Sequence, residues 1–206
     1  MLTIALSKGR IFDAALPLLK KAGVVLSDEE YASRKLIIPT NHSDVQVIVL
    51  RATDVPVFVQ HGVADLGVAG SDVLLEHGSV GIYELLDLNI AKCRLCLAAK
   101  PNADLTKIPL RVATKYPHIT QSYFQKHQQQ IELIKLYGSM ELAAMTGLSA
   151  CIVDLVDTGR TLAHNNLEVV DEIISVSSRL IANVASYKTK NKLIKQWLKC
   201  LRAAND

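Results

Sequence analysis

Ala150-Cys-Ile-Val-Asp-Leu-Val-Asp157-Thr-Gly-Arg-Thr-Leu-Ala-His-Asn165 is the stretch on which the reading of this chain turns. Ala150 to Val156 is a short apolar run rich in β-formers and bounded by turn residues, so it predicts a buried strand. Asp157-Thr158-Gly159 breaks the run, and Arg160-Thr161-Leu162-Ala163 opens a helix. A strand, a tight loop with one glycine and a helix start gather backbone N–H groups and two threonine hydroxyls around one point, a geometry that cradles phosphate. Asp154 and Asp157 flank that point, where carboxylates accept hydrogen bonds from sugar hydroxyls or hold a magnesium ion through water. Phosphate donors beside sugar acceptors suggest a ribose 5-phosphate. An ordinary strand-to-helix turn with Asp and Thr as caps fits the same spacing.

Outward from this stretch the chain alternates strands and helices. Upstream lie a strand at Leu110 to Thr114, a helix around Ile119 to His127, a strand at Ile131 to Leu136 and a helix from Ser139. Downstream, Glu168 to Ser177 alternates as a long strand, and Leu193, Ile194, Trp197, Leu198 and Leu201 form one stripe of a helix over about 188–203. The N-terminal half repeats the pattern. Thr3 to Ser7 is a strand, followed by Lys8-Gly9-Arg10 and an amphipathic helix. Cations there, at a strand end and helix start, suit a polyphosphate. Val45 to Leu50 and Ala64 to Gly70 are further strands. Asp54 is a candidate cap for the helix that begins near Pro56, and Ser71-Asp72 for the next. Gly67, Ala69 and Gly70 allow a ligand to approach the backbone. Ile82 to Leu88 and Ala91 to Ala99 read as strands leading out of this first lobe.

Two α/β lobes joined by crossing strands would enclose a cleft. A chain of 206 residues that is 50% hydrophobic can bury cores of that size. The formal charge of +3 is mild and no basic face is concentrated, which argues against nucleic acid. No segment is apolar enough to span a membrane, and the N-terminus carries no export signal, so a cytoplasmic protein is expected. Cys93-Arg-Leu-Cys96 spells a metal or redox motif, but strand alternation would send the two thiols to opposite faces.

Glu141, Gly147, Ser149, Ile152, Asp154, Leu155, Thr158, Gly159, Thr161 and Leu162 fall at the spacing of the ATP phosphoribosyltransferase signature, and the chain resembles that family. Ala5-Leu-Ser-Lys-Gly-Arg10, Arg51-Ala-Thr-Asp-Val-Pro56, Asp65-Leu-Gly-Val-Ala-Gly70, Arg111-Val-Ala-Thr-Lys-Tyr-Pro117 and Tyr137-Gly-Ser-Met-Glu-Leu142 are similar to the same family. The resemblance implies an α/β, two-lobed, periplasmic-binding-protein-like fold with the active site in the inter-domain cleft. Residues 1–90 plus 179–206 would form the ATP-side domain and 91–178 the phosphoribosyl pyrophosphate domain.

The implied reaction moves phosphoribose from phosphoribosyl pyrophosphate to N1 of the ATP adenine, opening histidine biosynthesis and needing magnesium. Gly138, Ser139, Glu141, Asp154, Asp157, Thr158, Gly159, Arg160, Thr161 and Leu162 are then expected on phosphoribosyl pyrophosphate. Lys8, Arg10, Arg51, Gly67, Ala69, Gly70 and Asp72 are expected on ATP, and Arg10, Arg34 and Lys8 in the catalytic step. Magnesium would ride on substrate phosphates, with Asp154 a candidate protein ligand. The chain looks like the short form of the family, which implies a homodimer of catalytic chains bound to a histidyl-tRNA-synthetase-like regulatory subunit. A two-lobed small-molecule binding protein without catalysis is the alternative.

Overall fold

The computed structural model describes residues 1–27 and 35–205. The chain forms two units, unit 1 from Met1–Ala91 with Ser177–Asp206 and unit 2 from Lys92–Val176. In chain order, unit 1 opens with β1 (Leu2–Ser7), α1 (Arg10–Lys21), β2 (Ile37–Pro39) and β3 (Val45–Leu50). It continues through α2 (Val55–Gln60), β4 (Leu66–Gly70), α3 (Ser71–His77) and β5 (Ile82–Asp87). Unit 2 holds β6 (Cys93–Ala99), β7 (Leu110–Thr114), α4 (Pro117–Lys126), β8 (Ile131–Lys135), α5 (Met140–Met145), β9 (Cys151–Val156), α6 (Arg160–His164) and β10 (Glu168–Val176). The chain then returns to unit 1 as β11 (Ser178–Asn183), α7 (Val184–Thr189) and α8 (Asn191–Asn205).

Unit 1 is built on a mixed sheet of order β2-β3-β1-β4-β11-β5, with β1 parallel to both β3 and β4. Successive side chains of a strand point to opposite faces, so each strand splits its residues between two cores. Leu2, Ile4 and Leu6 meet Phe12, Ala15 and Leu19 of α1 and Ile194, Leu198 and Leu201 of α8 on one face. Ala5, Ile48, Ala69 and Ile181 meet Val55 and Val59 of α2 and Leu74 of α3 on the other. Each fully buried Leu or Ile contributes about 1.5–3 kcal/mol, so a polar residue at Ile4 or Leu6 would break this packing.

Unit 2 is organised in the same way on a sheet of order β10-β6-β9-β7-β8. Leu95, Leu97, Val112, Cys151 and Val153 pack against Phe124 of α4, while Cys96, Ala98, Ala113, Ile152 and Val156 pack against Met140 of α5 and Leu162 of α6. Cys96 thus lies in one core and Cys93 borders the other, which follows from strand alternation.

Three local expectations change. Asp54 makes no side-chain cap, because it sits in helical backbone (φ −90°, ψ −20°) at the end of a 3₁₀ turn over Ala52–Asp54 instead of in the extended conformation that capping needs. Ser71 is already helical and Gly70 is the N-cap; the Ser71 hydroxyl accepts instead from the Ser177 N–H at 3.3 Å. The single C-terminal helix is two. Asn183, whose carboxamide oxygen accepts from Ser186 N–H at 2.9 Å, starts α7, and the chain breaks at Lys190 before α8.

Candidate active site

β7, β8 and β9 run parallel, with Thr114 opposite Lys135 on one side and Val153 on the other, so their C-terminal ends share one edge of the unit 2 sheet. The loops that leave this edge carry Lys115-Tyr116, Tyr137-Gly138-Ser139 and Asp157-Thr158-Gly159. Ligands of open α/β sheets bind at such carboxyl ends.

The loop after β9 is held by Val156 and Leu162, which are buried together with Met140 beneath it. Gly159 adopts φ 77° and ψ 0°, a left-handed turn that L side chains resist, and this turn swings the chain into α6. The first intrahelical bond is Ala163 N–H to Gly159 O at 3.0 Å. The N–H groups of Arg160, Thr161 and Leu162 therefore have no intrahelical acceptor. Arg160 N–H has a long contact of 3.5 Å to the Thr158 hydroxyl. Asp157, Thr158, Arg160 and Thr161 are exposed residues, so this turn lies at the surface. With five residues α6 contributes little macrodipole, and the anion-binding capacity rests on these local donors. Leu162 offers its N–H; its side chain belongs to the core.

The loop after β8 has its own strained turn. Ser139 lies at φ 53° and ψ 46°, left-handed for a residue with a Cβ, and starts α5, whose first turn carries Glu141. Gly138 and Ser139 are exposed and Glu141 is half-buried.

Asp154 lies two residues before the end of β9, on the face shared with Ile152 and Val156. Its Oδ1 accepts from Leu155 N–H at 2.8 Å and lies 3.8 Å from Lys115 Nζ. The Lys115 ammonium also stands 4.9 Å from the centre of the Tyr116 ring. The backbone around Lys115 is fixed by the buried Thr114 hydroxyl, which donates to Val153 O at 2.8 Å and accepts from Tyr116 N–H at 2.9 Å. Lys115 was not among the residues expected here. A lone lysine after a strand reads as a solvated charge, and its partner is remote in sequence.

In unit 1 the parallel strands β3, β1 and β4 also end at one edge, with Lys8 N–H donating to Leu50 O at 2.9 Å. Lys8, Arg10, Arg51, Gly70 and Asp72 gather at this edge. Gly9 (φ 84°, ψ −144°) makes the turn into α1, and Arg10 Nη2 donates to Ala91 O at 2.7 Å. Asp72 is buried and folds back so that a Cβ on Gly70 would collide with its Oδ1. The same edge holds an ion pair absent from the sequence reading, Arg179 Nη1 to Asp87 Oδ2 at 2.9 Å.

Gly67 and Ala69 lie elsewhere. A Cβ on Gly67 would sit 2.8 Å from Val59 Cγ2 and 3.0 Å from Val55 Cγ1, so this glycine lets α2 approach the sheet. Ala69 is fully buried in the same core. Neither presents a surface to a ligand. Arg34 lies outside the described residues. Among the described residues no three His, Cys, Asp or Glu side chains converge as a metal site, and no helix is long and apolar enough to cross a membrane.

The family model for "HisG: ATP phosphoribosyltransferase" matches residues 51–203. An ATP phosphoribosyltransferase from Ruthia magnifica subsp. Calyptogena magnifica is 59% identical over 96% of this chain and 97% of its own length. One from Psychrobacter arcticus is 56% identical over 94% of this chain and 84% of its own. The ATP phosphoribosyl transferase (HisG:HisZ) complex from Thermotoga maritima contains a chain that superposes with a TM-score of 0.87 at 35% identity, covering 100% of this chain and 98% of that one. The periplasmic aliphatic sulphonate binding protein SsuA from Escherichia coli superposes with a TM-score of 0.62 at 13% identity over 99% of this chain and 72% of its own, a likeness of fold alone. Two mixed α/β sheet units, a threonine-rich loop at a parallel sheet edge and close relatives over nearly the whole length lead to one assignment: the chain belongs to the ATP phosphoribosyltransferase family.

Proposed function

We propose that this chain transfers the phosphoribosyl group of phosphoribosyl pyrophosphate to N1 of the adenine of ATP and releases pyrophosphate, the first step of histidine biosynthesis. The observation that carries the reading is the exposed Asp157–Thr161 loop, whose glycine turn, helix-start amides and two threonines fit a sugar phosphate in a chain of this family. The 5-phosphate rests on Thr158, Gly159, Arg160 and Thr161; Asp154 and Asp157 accept from the ribose hydroxyls; Gly138, Ser139 and Glu141 line the same pocket. Unit 1 takes ATP through Lys8, Arg10 and Arg51, with Gly70 and Asp72 at the same edge.

The bond that forms joins adenine N1 to the anomeric carbon, and the bond that breaks joins that carbon to the pyrophosphate oxygen. Adenine is itself the nucleophile, so no protein nucleophile is required. Positive charge grows on the sugar and negative charge on the leaving group. Carboxylates near the ribose and cations near pyrophosphate therefore stabilise the transition state more than the ground state. Arg10, Lys8 and Arg34 are the residues assigned to that work.

Magnesium fits as a companion of the substrate's pyrophosphate. Asp154 and Asp157 offer oxygen donors suited to it through water, and the ion supplies charge neutralisation on the leaving group.

A regulatory subunit follows from the Thermotoga maritima complex, whose matching chain this one covers almost end to end. The reading carries a cytoplasmic location with it, where both substrates are made. Pyrophosphate release that requires ATP and phosphoribosyl pyrophosphate together, and rises when the regulatory subunit is added, is the expected result. Folded protein that binds either ligand without turnover in both mixtures would overturn the reading in favour of a binding protein.

A further inference from the structure

We infer that Lys115 is a positioning residue for sugar recognition: it holds the Asp154 carboxylate in the orientation that receives the ribose hydroxyls. The inference rests on the assignment of Asp154 to the ribose. Two donors converge on one oxygen of this carboxylate, the Leu155 N–H at 2.8 Å and the Lys115 ammonium at 3.8 Å. The amide hydrogen bond and the ion-pair contact both fall on Oδ1, so both favour the rotamer that turns this oxygen toward Leu155 N–H and Lys115 and leaves Oδ2 to accept from a ligand.

Lys115 is itself held. Its stem leaves the sheet at a residue whose neighbours on either side are pinned by the Thr114 hydroxyl, which Thr120 Oγ1 also contacts at 3.3 Å. The Tyr116 ring, 4% exposed, stands 4.9 Å from the ammonium, so the cation has a buried ring as well as the carboxylate for a neighbour. Side chains locked in this way orient a binding group without touching the ligand.

The test compares two probes, ribose 5-phosphate and tetrahydrofurfuryl phosphate, which keeps the ring and phosphate but lacks the hydroxyls. Inorganic phosphate serves as the third. Affinities for the full chain are measured by calorimetry, with circular dichroism checking each variant's fold. The wild type is expected to prefer ribose 5-phosphate over the hydroxyl-free probe by roughly tenfold or more, the loss expected for removing hydrogen bonds to a charged group. Asp154→Asn removes that preference. Lys115→Met also removes it while changing the affinity for inorganic phosphate by less than about twofold, and Lys115→Arg restores it. Lys115→Gln serves as the second neutral variant, and the lysine side chain is 38% exposed, so neither truncation opens the core.

Loss of the preference in Asp154→Asn but not in the neutral Lys115 variants overturns the role of Lys115 and leaves the sugar assignment standing. Equal weakening of all three ligands by Lys115→Met would make the lysine a direct phosphate contact, which also overturns it. A preference that survives in Asp154→Asn overturns the sugar assignment itself.

Discussion

Lys190 Nζ lies 2.8 Å from each carboxylate oxygen of Asp65 and 2.7 Å from the carbonyl oxygen of Met1. Asp65, 5% exposed, also accepts from Thr3 N–H at 2.9 Å and from the Ser186 hydroxyl at 2.6 Å. One carboxylate thus ties the first strand, the entry to β4 and the break between α7 and α8. Asp65→Ala leaves a buried N–H and a lysine without their acceptor and is expected to cost about 3 kcal/mol. Lys190→Met leaves the two neutral donors in place. Because the lysine side chain is 37% exposed, water screens the pair and the cost falls to about 1 kcal/mol. Urea unfolding of both variants checks the order. Equal losses would contradict it.

Gly159→Ala places a Cβ in a left-handed turn at φ 77°. Space is not the obstacle, since the nearest side-chain atom, Val156 Cγ1, is 3.9 Å away. Backbone strain of about 1–2 kcal/mol is. The strain is relieved by shifting the loop, so the Michaelis constant for phosphoribosyl pyrophosphate rises while that for ATP stays put. Steady-state kinetics with each substrate varied in turn decides the matter.

Gly67→Ala separates a packing glycine from a ligand-binding one. Its Cβ meets Val59 and Val55 at 3.0 Å or less. Overpacking of this kind costs about 1–3 kcal/mol. A lowered melting temperature with an unchanged Michaelis constant for ATP is expected; the reverse pattern would return Gly67 to the nucleotide site.

Arg10→Ala is expected to lower kcat by about 10- to 1000-fold and to raise either Michaelis constant by less, as befits a cation that acts on the leaving group. Arg10→Lys keeps the charge but not the guanidinium that bonds Ala91 O through Nη2, and recovers only part of the loss. Unchanged turnover at saturation would remove Arg10 from the catalytic step.

Burial pushes the Cys151 thiol up to about 12. The unfolded chain releases that proton near pH 8.5. Between these values the unfolded state binds fewer protons than the folded one, so stability falls as pH rises. Cys151→Ala should flatten the fall in urea midpoint between pH 8.5 and 10 relative to the wild type. With a thiol reagent at pH 8, the exposed Cys200 reacts in the folded protein, while Cys96 and Cys151 wait for unfolding.

What could be read from sequence follows from how local each signal is. The strand, glycine turn and helix at 150–165 were legible because β-branched residues, one glycine and an apolar anchor follow one another directly. β11 was not. Ser178 to Asn183 has no clear alternation, and its burial comes from β4 and β5 pairing on either side of it. Asn183 carries a readable capping signal, with Ser186 three residues on, but the stripe of α8 masked it. Lys8, Arg10, Thr158 and Thr161 could be placed at sheet edges because each follows a short apolar run and precedes or opens a helix. Lys115 against Asp154 and Arg179 against Asp87 depend on strand pairing, which no short window contains. Gly67 misled because a glycine that admits a helix and one that admits a ligand look the same in sequence.

β11 sits between β4 and β5, which are written roughly a hundred residues earlier. During synthesis, β5 therefore emerges with no β-strand neighbour from its own half, while the intervening segment Lys92–Val176 is a continuous unit able to complete its sheet first. A nascent chain stalled before Ser178 would hold a finished second unit and a first unit with its sheet split, β5 displaying an open edge to chaperones or to other nascent chains.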